Sequence, residues 1–197
     1  MFLQFDGVMN VCKVYMNGEL LMIHEGGYTP FKVDVSQKSI LGENLLQVIV
    51  DSSEIKNVPP FGHYVDYLAF SGIYREVHLD ILPKVYIEQL HISTSESNGL
   101  VEDVMVLDID LSIVQDTQEE YNVQCNLYFE GKKTFSIAYE NPIVSENNFS
   151  STIKEILRWS IDSPNLYTLE LQLLKNNVVI DILSSAFGFR TVDFTPE

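Results

Sequence analysis

Apolar and polar residues alternate with a period of two along most of the chain, in short bursts separated by Gly, Asn, Asp or Pro, and a helical period is nearly absent. Alternation sends one face of an extended segment into a core and the other into water, so the pattern predicts strands and an all-β fold. In NVCKVYMNGELLMIHE, the Asn17-Gly18 pair sits between two alternating runs, where both residues can take the positive φ of a tight hairpin. Phe31, Val33 and Val35 alternate with Lys32 and Asp34, and a polar turn over 36–44 leads to the apolar run 45–50. Residues 57–62 contain Pro59-Pro60, which lacks ladder donors and predicts a loop. Strand composition resumes over 73–82 and stops at Pro83.

A second rhythm then begins. Met105, Leu107, Ile109, Leu111 and Ile113 point one way while Asp108, Asp110 and Ser112 point the other, the design of a sheet with one buried and one wet face. Val123, Cys125, Leu127 and Phe129 repeat it before a turn at Glu130-Gly131-Lys132, and Leu169, Leu171 and Leu173 lead through Asn176-Asn177 to Val178, Ile180 and Ile182. This spacing predicts about seven short strands, the signature of an immunoglobulin-like sandwich. Only 151–157 hints at a helix, and one turn of pattern leaves it undecided. The expected domains are 1–83 and 84–197.

Charge sharpens the picture. Twelve basic against 28 acidic residues give a net charge of −16, which repels phosphate backbones and anionic lipid, so neither nucleic acid nor membrane is an expected partner. Residues 1–83 carry five basic and ten acidic side chains (−5) and 84–197 carry seven and eighteen (−11). No run of eighteen apolar residues and no basic stretch with an apolar h-region occurs. The expected location is the cytoplasm of a bacterium, with a periplasmic or extracellular one left open. Cys12 and Cys125, without CxxC spacing, predict buried small hydrophobes rather than a bridge or metal cluster. Asn148-Phe149-Ser150 is a glycosylation sequon that needs no more than chance.

Candidate chemistry is sparse. The acids fall on wet strand faces or in turns, where solvated charge is ordinary. No phosphate loop, HExxH helix or GxSxG elbow is present, the four histidines His24, His63, His78 and His91 are scattered, and the lone Trp159 is expected in a core. The exception is GHYVDYLAFSGIYREV, residues 62–77, which crowds His63, Tyr64, Tyr67 and Phe70 around Asp66. Aromatic rings cover the apolar face of a pyranose while a carboxylate accepts bonds from its vicinal hydroxyls, so this stretch is the candidate sugar contact.

Several motifs, in order, resemble those of glycoside hydrolase family 2, which includes β-galactosidases, β-glucuronidases and β-mannosidases. FDGVMNVCKVYMNGELLMIHEGGYTPFKVDVS (5–36), GENLLQVIV (42–50) and SGIYREVHL (71–79) resemble strands of its sugar-binding domain. LRWSIDSPNLYTLELQLL and SSAFGFRTVDF resemble motifs near the end of the immunoglobulin-like domain that follows. The resemblance implies a partial galactose-binding-like jelly roll over 1–83, lacking upstream strands, and an immunoglobulin-like β-sandwich over 84–197. In the family both catalytic glutamates stand on a barrel that comes after these domains, so the chain is expected to be an internal piece of a longer enzyme, without catalytic or metal-ligating residues and inactive alone.

Asp66, six residues ahead of Gly72, matches the aspartate that in the family reaches hydroxyls of the terminal sugar and in some β-galactosidases ligates sodium. Arg75 matches the signature arginine, expected as an ion pair or carbonyl clamp that braces its strand. Glucuronidases tend to show N-Y-A-G-I-x-R where this chain has AFSGIYR, so the resemblance favours a β-galactosidase acting on terminal β-D-galactosides. The alternatives are a β-glucuronidase, a β-mannosidase, or a stand-alone carbohydrate-binding or adhesion module. Further expectations are no cofactor in this chain, sodium or magnesium as candidate ions of an intact enzyme, a carbohydrate met through the absent barrel, and a possible homo-oligomer.

Overall fold

A computed structural model describes residues 1–60, 67–97, 104–115, 119–139 and 146–192, all strand, turn or loop. Two compact units form, Met1–Leu82 and Pro83–Glu197.

Unit 1 begins with β1 (Phe2–Phe5), β2 (Val8–Met9), β3 (Val11–Met16) and β4 (Glu19–Glu25), followed by β5 (Phe31–Asp34), β6 (Leu46–Asp51), β7 (Gly72–Ile73) and β8 (Val77–Asp80). They form sheets of order β5-β1-β8 and β4-β3-β6 and the short pair β2-β7. One core joins them: Leu3, Phe5, Phe31 and Val33 from the first sheet, Cys12, Val14 and Met16 from the second, and Val8 from the pair. Each large side chain taken from water there contributes about 1.5–3 kcal/mol.

The β3–β4 hairpin turns at Asn17 (φ 52°) and Gly18 (φ 85°), the two positive values its sequence predicts. Asn17 also pins the following loop, because its Nδ2 donates to the Lys38 carbonyl at 2.8 Å and its Oδ1 accepts from the Leu45 amide at 2.9 Å.

The single strand expected over 73–82 is two strands. β7 pairs with β2 and β8 with β1, so the chain changes sheets between them. The β1–β2 segment changes sheets alongside, and two bonds bridge the gap: the Asp6 amide to the Glu76 carbonyl at 3.0 Å, and the Tyr74 amide to the Gly7 carbonyl at 3.3 Å.

Unit 2 contains β9 (Tyr86–Glu96), β10 (Val104–Val114), β11 (Asn122–Phe129), β12 (Lys132–Tyr139), β13 (Glu146–Lys154), β14 (Tyr167–Lys175) and β15 (Val178–Phe187). Sheets of order β13-β10-β9 and β12-β11-β14-β15 follow the A, B, E over C′, C, F, G connectivity of an immunoglobulin-like sandwich. The alternation in β10 and β14 places Met105, Leu107, Ile109, Leu169, Leu171 and Leu173 in one core with Val123, Cys125 and Leu127. The undecided stretch 151–157 is strand as far as Lys154, in register with β10, and the strand ends where Glu155 takes φ 56°.

Candidate functional site

Residues 67–77 run along one end of unit 1. Gly72 and Ile73 pair with Met9 and Val8, which holds the SGI turn against β2. The Ser71 hydroxyl donates to Ser52 Oγ at 2.7 Å, and Ser52 Oγ donates to the Met9 carbonyl at 2.8 Å.

Tyr74 is the keystone of this end. Its ring lies against Gly7, where an added Cβ would come within 2.9 Å of the ring. Its hydroxyl donates to the Gly27 carbonyl at 2.6 Å. Phe70 stacks on the same ring, centroids 6.2 Å apart and planes within 13°. Arg75 lies 5.2 Å from that ring's centroid, and its Nη1 donates to the Asp6 carbonyl at 3.4 Å. Arg75 is thus a carbonyl clamp with a cation–π contact, worth about 0.5–1 kcal/mol at an exposed site.

The turn after β4 supplies the opposite wall. The Gly26 amide donates to the Asn10 carbonyl at 3.1 Å, while His24 donates through Nε2 to the Gly26 carbonyl at 3.0 Å and stacks on Phe31 at 4.0 Å. His24 is a structural ring. Tyr28 donates its hydroxyl to that of Tyr67 at 3.0 Å, which raises the Tyr28 pKa to about 12, so it is a standing donor and not a base. Asn10 is buried, and its Oδ1 has no hydrogen-bond partner among the described residues. That oxygen is an unspent acceptor for a water or hydroxyl.

Asp66, His63 and Tyr64 lie outside the described residues. Of the aromatic cluster read from the sequence, Tyr67 and Phe70 are brought to this wall, both largely exposed. Sequence reasoning missed the Tyr28–Tyr67 and Ser52–Ser71 pairs; the GGY string was visible, but pairing across 39 residues leaves no local pattern. Trp159, expected in a core, is only half-buried, because its backbone amide is tied to the Phe189 carbonyl at 2.8 Å and Arg190 lies 5.3 Å from its ring centroid. Cys12 and Cys125 are free and buried. Asn148 of the sequon stands in β13 opposite Asp110 and donates its carboxamide to that carboxylate at 2.5 Å.

Residues 1–83 match the family model of glycosyl hydrolases family 2, sugar binding domain, and residues 85–190 match that of glycosyl hydrolases family 2. The chain belongs to glycosyl hydrolase family 2. It is 33% identical over 202 residues to a β-galactosidase of Thermoanaerobacter pseudethanolicus, covering 98% of this chain and 26% of that protein. It is 31% identical over 193 residues to a putative β-glucuronidase of Formosa agariphila, covering 98% and 23%. A solved glycosyl hydrolase family 2 member from Bacteroides cellulosilyticus superposes with a TM-score of 0.84 at 21% identity, covering 98% of this chain and 25% of that one, a likeness of fold. The chain therefore spans about a quarter of the length of these relatives.

Three described carboxylates of this family 2 chain are held in the ionised form. Asp34 and Asp51 lie below the ordinary carboxylate range because each accepts the side-chain and backbone bonds of a serine two residues on, and Glu96 because Arg158 donates to it. A general acid for glycoside cleavage needs the opposite shift. Among the described residues, no three His, Cys, Asp or Glu side chains gather where an ion could sit.

Proposed function

We propose that this chain is the non-catalytic N-terminal region of a β-galactosidase that hydrolyses terminal β-D-galactosides, with its catalytic carboxylates on a domain outside these 197 residues. The observation that carries it is the 33% identity to a β-galactosidase over 98% of the chain, in a protein about four times as long. Unit 1 is a sugar-facing surface and unit 2 a spacer. Asp66, the residue before Tyr67 in the sequence, accepts hydroxyl bonds from the terminal sugar. The net charge of −16 favours a neutral sugar over an anionic one. Sodium or magnesium, self-association and a bacterial cytoplasmic location belong to the same proposal.

The test is Asp66→Asn in the full-length protein, assayed on aryl β-galactosides. Loss of a charge-assisted bond should lower kcat/KM by about ten- to a hundredfold with folding intact. Wild-type kinetics would remove Asp66 from the site, and a full-length wild-type protein that leaves galactosides intact would remove the activity. A β-glucuronidase is the second reading, supported by the 31% identity to the Formosa protein; faster turnover of an aryl glucuronide would establish it.

A further inference from the structure

The loop between β13 and β14 and the tail after β15 build one end of unit 2, and both are tied down. Asn165 donates its carboxamide to the Arg158 carbonyl at 2.9 Å, Arg158 forks onto the two carboxylate oxygens of Glu96 at 2.7 and 3.1 Å, and Thr94 donates to the Arg190 carbonyl at 3.2 Å. Here lies a cavity of about 490 Å³, with Ile92, Leu166, Phe187 and Val192 in its walls beside Trp159 and Arg190. Its apolar members are only partly used by the core of the unit: Leu166 is 55% and Val192 60% exposed.

Two strong donors stand in this apolar setting with nothing to donate to. The Arg190 guanidinium lies 5.3 Å from the centroid of the Trp159 ring and meets no carboxylate among the described residues, and the Trp159 indole N–H meets no acceptor among them. Arg158 close by is spent on Glu96, whereas Arg190 is not. A guanidinium laid on an aromatic ring keeps its fork available, and that fork matches a carboxylate.

We infer that this cavity docks the catalytic domain of the same polypeptide, which seats an apolar side chain against Leu166, Phe187 and Val192 and sets a carboxylate on Arg190. The inference rests on the reading that a catalytic domain lies outside these 197 residues. Two observations choose this occupant. A second copy of the chain would bring its own charge of −16 against the same charge, which disfavours self-association as the cover. The chain also covers only 26% of the β-galactosidase it matches, and Val192 stands five residues before residue 197, a span of at most about 18 Å. On that reading the catalytic domain is tethered beside the cavity, where a short link gives it an effective concentration on the order of millimolar.

The experiment is hydroxyl-radical footprinting of the full-length protein, read residue by residue by mass spectrometry, in wild type, Arg190→Glu and Val192→Asp, with aryl β-galactoside turnover measured alongside. Met105, fully buried, is the control for folding of unit 2. Loss of the charge pair, or a carboxylate placed in the apolar wall, should raise labelling of Leu166 by about three- to tenfold while Met105 stays unlabelled. Because Leu166 is already 55% exposed, loosening of its own loop could raise labelling by no more than about twofold, so a larger rise requires that a cover has been removed. Val192→Asp alters an exposed position away from the stack on Trp159 and decides the matter if Met105 becomes labelled in Arg190→Glu. Leu166 labelled as readily in wild type as in Val192→Asp would overturn the inference. Wild-type labelling that rises on tenfold dilution would assign the cover to a second copy and overturn it as well. A wild-type protein that leaves galactosides intact while Leu166 stays protected, and is exposed by both variants, would remove the galactosidase activity and support the docking site.

Discussion

Replacing Gly188 by Ala tests whether the end of unit 2 is as closely packed as its geometry implies. The added methyl carbon would come 2.7 Å from Trp159 Cβ, 3.0 Å from Cγ and 3.1 Å from Cδ1. The first of these contacts involves the stem of the side chain, which cannot swing away as the tip of a long chain can. Trp159 is also held from both sides, by its amide bond to the Phe189 carbonyl at 2.8 Å and by Arg190 over its ring. Relief therefore requires a shift of backbone or loss of the stacked arginine, and overpacking of this kind costs about 1–3 kcal/mol. A domain near 100 residues loses roughly 4–8 °C of Tm per kcal/mol, so the transition of unit 2 should fall by at least about 4 °C. Trp159 is the chain's one tryptophan, so its emission reads the site directly, and the spectrum should shift as the ring moves. An unchanged Tm together with an unchanged emission maximum would refute the argument.

Two further expectations concern titration. Glu96 is held below its ordinary value of 4.5 by Arg158, so its contribution to stability is present above that value and is lost as pH falls through the lower folded-state one. Acid unfolding monitored below about pH 4.5 should therefore be shallower in Glu96→Gln, and an unaltered acid limb would count against it. Burial raises the Cys12 thiol and pushes Cys125 up to about 12, so at pH 8 a disulfide reagent should modify the native chain slowly and the unfolded chain quickly at both positions. Immediate reaction of either thiol in the native protein would contradict their burial.

The proposed role of Asp66 and the observed contacts of Tyr28 divide between what a sequence can display and what it hides. The motif that points to Asp66 is a run of neighbours, so it is legible without a structure. The contacts of Tyr67, Ser71 and Tyr74 are not, because Tyr28 and Gly27 come from the turn after β4 and Ser52 from just past β6, and nothing local in HEGGYTP or VDSS announces which segment each will meet. The split of 73–82 into β7 and β8 was hidden for the same reason. Both pieces have strand composition, and only the two sheets offered by β1 and β2 make the chain cross between them.

Alternation of side chains by itself determined the all-β class, the inward positions of β10, β11 and β14, and the Asn17-Gly18 turn, because each depends on steric and solvation preferences acting within a few residues. Burial of both thiols followed from the same pattern. Tertiary structure alone decided the partners of Tyr28, Tyr74 and Trp159. Those contacts join residues far apart in sequence, and their geometry depends on how whole sheets pack, a property that no short window of sequence carries.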